Sequence, residues 1–109
     1  MQADDIMHGW LAGLSTHTQR SYATAVRLFE AQAGVTWLAA TANHVIAWRE
    51  AMADAGLQRS TIGQRLTALS SLYAFAMRTP ATPPLVNANP VQAAYRRRPR
   101  VQHYPTRNR

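Results

Sequence analysis

Apolar residues recur at intervals of three and four along most of the chain, and no segment alternates apolar and polar residues long enough to make a strand. The pattern predicts an all-α domain. A first short helix is expected over residues 5–12, where Ile6, Met7, Trp10 and Leu11 share helical spacing and Gly13 and Leu14 lead into a turn. A second is expected over residues 17–33. Thr16 with Gln19 three residues later fits a capping box, and Gly34 stands where a left-handed residue would end the helix. Tyr22, Val26, Phe29 and Ala33 make its core stripe, while Arg20, Thr24 and Arg27 repeat on another, basic face.

Residues 35–40 carry Trp37 and Leu38 through a connection, after which Thr41 can cap a third helix that runs to about residue 55 and ends at Gly56. Its stripe is Val45, Trp48, Met52 and Ala55. A fourth helix should begin after Ser60 or Thr61 and continue to about residue 78, with Ile62, Leu66, Leu69, Tyr73 and Ala76 facing the core. Beyond it Pro80, Pro83, Pro84 and Asn87 break regular structure. Asn89 at a cap and Pro90 at a first helical position favour one or two further turns over residues 91–95. From Arg96 onward the chain has neither the apolar content nor the period of a packed element, so a mobile tail is expected. The predicted division is a bundle over residues 1–95 and a basic linker or tail over 96–109.

Length and composition narrow the classes. At 109 residues the chain is long enough for one modest core and one task. Cysteine is absent, which removes disulfides, thiolate metal sites and a cysteine nucleophile. No apolar run approaches the ~20 residues of a membrane span, and Asp4 and Asp5 stand where a targeting segment would be basic, so a cytoplasmic protein is expected.

Charge changes the picture more. All twelve basic residues are Arg, giving a formal net charge of +7 and favouring a polyanionic partner, nucleic acid first. An Ala-rich, Lys-free composition is what GC-rich coding produces, so the choice of Arg over Lys carries little; its placement carries more. Residues 1–95 hold six Arg and all five acids, whereas the final fourteen residues hold six Arg and no acid. Within the bundle, basic residues gather at two predicted helix starts: Thr16, His17, Thr18 and Arg20 on the second helix, with Arg27 further along, and Arg59, Ser60, Thr61, Gln64 and Arg65 on the fourth. Free N–H groups and the positive dipole end at a helix start suit a phosphate oxygen, and a neighbouring Arg adds a bidentate contact. Gln64 and Arg65 are the candidates for base edges, because Gln pairs with adenine and Arg with guanine in the major groove. Arg96, Arg97 and Arg98 would add nonspecific phosphate attraction. His8, His17, His44 and His103 are scattered without companion ligands, so no metal is expected, and no cofactor site or acid–base constellation is present. Tyr22, Trp48 and Tyr73 sit at core spacing.

Three segments in order then resemble one family. Ser15 to Tyr22 with Leu28-Phe29 is similar to the T-x-x-x-Y-x-x-x-x-x-x-F helix of tyrosine recombinases, the phage integrases. Val45 to Trp48 resembles the helix after it, and Ser60 to Tyr73 the S-T-I-x-x-x-L-x-x-L-x-x-Y helix. Asn89-Pro90 with the basic run beyond is similar to the passage by which those proteins leave their core-binding domain. Asn43 and His44 stand where family members usually carry an acid, and Ser70 where they are often basic.

The resemblance covers about residues 10–98. It implies a SAM-like bundle of four main helices with a short fifth, whose second and fourth helices face duplex DNA, with other recombinase protomers as partners on DNA. It implies no chemistry in this region: the catalytic domain lies C-terminal to it in the family, and no H-x-x-R followed by a tyrosine nucleophile occurs here. The expected function is sequence-directed binding of a recombination site by an isolated domain that is monomeric. The competing expectation is a helical protein-interaction module whose polar faces are simply solvated.

Overall fold

The computed structural model describes residues 3–80 and 86–96, the Arg96 side chain excepted. Those residues form α1 (Ala3–Ala12), α2 (Thr16–Ala33), α3 (Ala42–Asp54), α4 (Arg59–Arg78) and α5 (Pro90–Arg96), with a 3-10 turn at Trp37–Ala39. No strand occurs among the described residues, and the architecture is the expected all-α, SAM-like bundle with a short fifth helix. Residues 81–85 and the tail from residue 97, expected to be linker and mobile tail, lie outside the described residues.

The longest helix, α4, is the axle, since each of the other four helices packs against it. It buries Leu66, Leu69, Tyr73 and Ala76 as its spacing predicts, and also Ala68 and Leu72, so its apolar arc is wider than one stripe. A helix surrounded by partners needs such an arc. Phe29 of α2 and Trp48 of α3 meet over it with ring centroids 5.2 Å apart. Trp10 docks α1 by stacking on Tyr22 at 5.6 Å and donating from Nε1 to Ser71 Oγ at 3.0 Å. Tyr22 therefore sits at the rim, half-buried, and Ala55 is exposed as the residue that closes α3 rather than part of its stripe.

Two helix starts differ from the sequence expectation. The cap of α2 is Ser15, whose Oγ accepts from Thr18 N at 3.3 Å, while Gln19 reaches back to Leu14 O at 3.0 Å. Thr16 is the first helical residue. Likewise α4 starts at Arg59 behind Gln58, and neither Ser60 nor Thr61 is a cap. The cause lies in the preceding turn. Gly56, at φ +85°, ends α3 with Gly56 N donating to Ala53 O and Leu57 N to Met52 O, a Schellman closure that leaves a single residue before α4. The other ends are as expected: Gly34 closes α2 at φ +74°, His44 Nδ1 accepts from Thr41 N at 3.0 Å at the start of α3, and Asn89 Oδ1 accepts from Val91 N at 3.0 Å at the start of α5. The Asn89 amide also donates to Ser70 O at 3.2 Å, tying α5 to α4.

The connection at Trp37 is held from both sides. Its N–H donates to Glu30 Oε2 at 2.8 Å and its carbonyl accepts from Tyr73 Oη at 2.6 Å. Burial, and secondarily the Glu30 carboxylate, push the Tyr73 phenol above its ordinary value, so the hydroxyl is held as a donor. A raised folded-state value means that this contribution to stability is complete below about pH 10 and is lost as pH climbs through the raised value. Denaturant melts across alkaline pH should show that decline, and Tyr73→Phe should remove this phenol's share of it while costing about 1–3 kcal/mol at neutral pH for the stranded Trp37 carbonyl. An alkaline limb identical in the variant would contradict the assignment.

Candidate nucleic-acid interface

Where α2 packs on α4, two small residues line the seam. Ala25 and Ala68 are each 1 % exposed and lie at the floor of a cleft of about 430 Å³ between the two helices. Their short side chains let the helices approach while the longer residues on either side form walls. His17, Arg20, Ser21 and Thr24 rise from α2; Thr61, Gln64 and Arg65 rise from α4. A second hollow of about 280 Å³ continues along the same seam, lined by Thr18 and Tyr22 from α2 and Thr67 from α4. The two share His17, Ser21 and Gln64, so together they make one two-lobed trough.

The lobes differ in charge. The larger carries Arg20 and Arg65, whereas the smaller is lined by no Arg, and no carboxylate lines either. The acids are elsewhere: Asp4 and Asp5 in the first turn of α1, Glu50 and Asp54 on α3, and Glu30 committed to Trp37. Two of the bundle's arginines are also spent away from the trough, Arg49 over the Tyr95 ring at 6.0 Å and Arg78 over Phe75 at 5.9 Å. Arg20 and Arg65 thus stand at a trough whose lining contains no carboxylate. The start of α4 adds backbone donors. The amides of Arg59, Ser60 and Thr61 precede the first bond of the helical ladder, Ile62 N to Gln58 O at 3.0 Å, and Gln58 offers them no side-chain acceptor.

The residues singled out by sequence fall into three groups. His17, Arg20, Thr61, Gln64 and Arg65 converge on the larger lobe, and Thr18 lines the smaller one, its hydroxyl accepting from Ser15 Oγ at 3.0 Å. Arg20 and Arg65 share one flank. Thr16, Arg59 and Ser60 are exposed at the helix starts, outside the trough lining, and Arg27 lies further along α2, donating from Nη2 to Thr24 Oγ1 at 3.3 Å. Arg96 ends α5 with its side chain outside the description, and Arg97 and Arg98 lie outside the described residues.

Sequence reasoning missed Ser21 and Thr67 as lining residues, and Tyr22 was expected in the core. Positions 17, 21 and 24 share a helical face, and so do 64 and 67; that spacing was the available signal. Among the described residues no group of His, Cys, Asp and Glu is placed to hold a metal ion, and no helix is long and apolar enough to cross a membrane.

A family model described as phage integrase, N-terminal SAM-like domain, matches residues 11–79, more than half of the chain. That span runs from the end of α1 through the whole of α4 and contains the entire trough. No curated protein and no solved structure matches.

Proposed function

The chain belongs to the family of phage integrase N-terminal SAM-like domains, and from that membership we propose that it binds double-stranded DNA through the α2–α4 face. On this reading it holds one arm of a recombination site for a site-specific tyrosine recombinase, supporting integration or recombination. The strand-transfer chemistry would belong to a catalytic domain of the full-length parent, and other protomers would be its neighbours on DNA. On the same reading it works in the cytoplasm, on the nucleoid.

The observation that carries the reading is the convergence of Arg20 and Arg65 on one carboxylate-free trough beside the exposed start of α4. Thr16, His17, Thr18, Arg20 and Arg27 from α2, with Arg59, Ser60 and Thr61 from α4, position phosphates through side chains and first-turn amides. Gln64 and Arg65 read base edges. Arg96, Arg97 and Arg98 extend phosphate attraction beyond the bundle, and sequence preference resides in the trough.

Titrating duplex DNA at a series of salt concentrations tests this. With roughly five phosphates contacted, log K should fall against log salt with a slope near −4 to −5. A chain that binds no duplex even at low salt contradicts the proposal and favours the protein-interaction module.

A further inference from the structure

The smaller lobe of the trough differs from the larger in a way that phosphate binding does not require. Tyr22 of α2 and Thr67 of α4 face each other across it, with Gln64 on the divide between the lobes. The Tyr22 hydroxyl, the Gln64 amide and the Thr67 hydroxyl make no hydrogen bond with any described residue. Tyr22 is nevertheless fixed, because its ring is stacked on Trp10 with an interplanar angle of 26°. A rigid phenol, a carboxamide and a hydroxyl, each able both to donate and to accept, suit a base edge, which presents donors and acceptors side by side. A phosphate can take the donors of such groups, but because it only accepts, a base edge alone engages both their donors and their acceptors.

We propose that the Tyr22–Gln64–Thr67 lobe is a base-reading site, with Tyr22 and Thr67 as specificity-determining residues beside Gln64. The step rests on the DNA-binding reading above and deepens it. The chemistry points to an adenine–thymine pair read from the major groove: the Gln64 carboxamide is matched to adenine N6 and N7, and the Thr67 hydroxyl can donate to thymine O4. The phenol adds a hydrogen bond to the same or the adjacent base. The trough then divides its labour along its length. Arg20 in the charged lobe sets where the backbone lies, and the neutral lobe next to it takes up bases at that register.

Selection from a pool of duplexes with a randomised central segment tests this with four proteins: the wild-type chain, Tyr22→Phe, Thr67→Val and Arg20→Ala. Tyr22→Phe keeps the ring on Trp10 and Thr67→Val keeps the shape of an exposed side chain, so both should retain the wild-type melting midpoint. The wild type should enrich sequences with a fixed adenine–thymine pair. Each of the two neutral-lobe variants should relax that preference by roughly 3- to 10-fold without altering the salt slope. Arg20→Ala should instead lower the slope by about one and leave the enriched sequence as it was. Two results overturn the inference while leaving DNA binding standing: enrichment unchanged in both neutral-lobe variants, or a wild type that binds with the expected salt dependence but enriches no sequence. Absence of binding at low salt overturns both.

Discussion

Phe29→Ala is expected to lower the unfolding free energy by about 3–5 kcal/mol, a large fraction of what a domain of this size possesses. Phe29 is 0 % exposed, and its ring lies 5.2 Å from Trp48 where α2 and α3 meet above α4. Truncation removes the transfer free energy of the ring and leaves a hole lined by side chains belonging to three helices. The ends of α2 and α3 are also closed, by Ser15, Gly34 and Gly56, and the Trp37 turn is tied to both α2 and α4, so the cavity has little freedom to collapse. Urea denaturation measures the loss as a fall in midpoint at unchanged slope. A loss under about 1 kcal/mol would mean that the contact tolerates truncation and that the core is looser than this packing implies.

The other large effect is expected at the trough. Reversing both of its arginines, Arg20→Glu with Arg65→Glu, should weaken duplex binding by roughly 100- to 1,000-fold at low salt, because a cation–phosphate contact and a base contact are lost and a carboxylate is set against the polyanion at each position, costing several kcal/mol. The salt slope should fall by about one, for the phosphate contact that Arg20 makes. Stability should change less, since Arg20 is exposed and Arg65 is half-exposed, and no described carboxylate lines the trough with them. Fluorescence anisotropy of a labelled duplex across salt, with a urea melt of the same variant, separates the two effects.

Much of the fold is written in local patterns. Gly34 ends α2 because a left-handed residue costs L side chains roughly 1–2 kcal/mol that glycine does not pay, and Asn89-Pro90 starts α5 with a side-chain acceptor followed by a preset φ. The stripes of α2, α3 and α4 are equally local. What the sequence obscures are choices among equivalent residues. Ser15 and Thr16 are adjacent hydroxyls, and the turn after Leu14 decides which of them caps. At α4 the better-looking caps, Ser60 and Thr61, lose to Gln58 because the Gly56 closure has already turned the chain.

The candidate interface is less legible for a different reason. Helical spacing says which residues share a face of α2 or of α4, but the trough exists only once the two helices pack in the register that brings Ala25 and Ala68 to one cleft. Tyr22 illustrates the limit. Its spacing is that of a core residue, and it becomes a rim residue because Trp10 covers one face of its ring while the seam leaves the rest open. Trp37 shows the same dependence, since the turn it occupies is defined by Glu30 and Tyr73, 7 and 36 residues away.

In the proposed function it is location, not net charge, that makes the α2–α4 face the DNA-binding surface. Two double variants with the same charge change decide it: Arg20→Glu with Arg65→Glu in the trough, and Arg49→Glu with Arg78→Glu on residues that stand over aromatic rings outside it. Duplex affinity of both should be measured at one ionic strength near 0.1 M, where separated surface charges are largely screened. A loss of roughly 100-fold or more is expected for the trough pair and no more than about 5-fold for the other. Equal losses would contradict it, reducing binding to the bulk attraction of a basic chain.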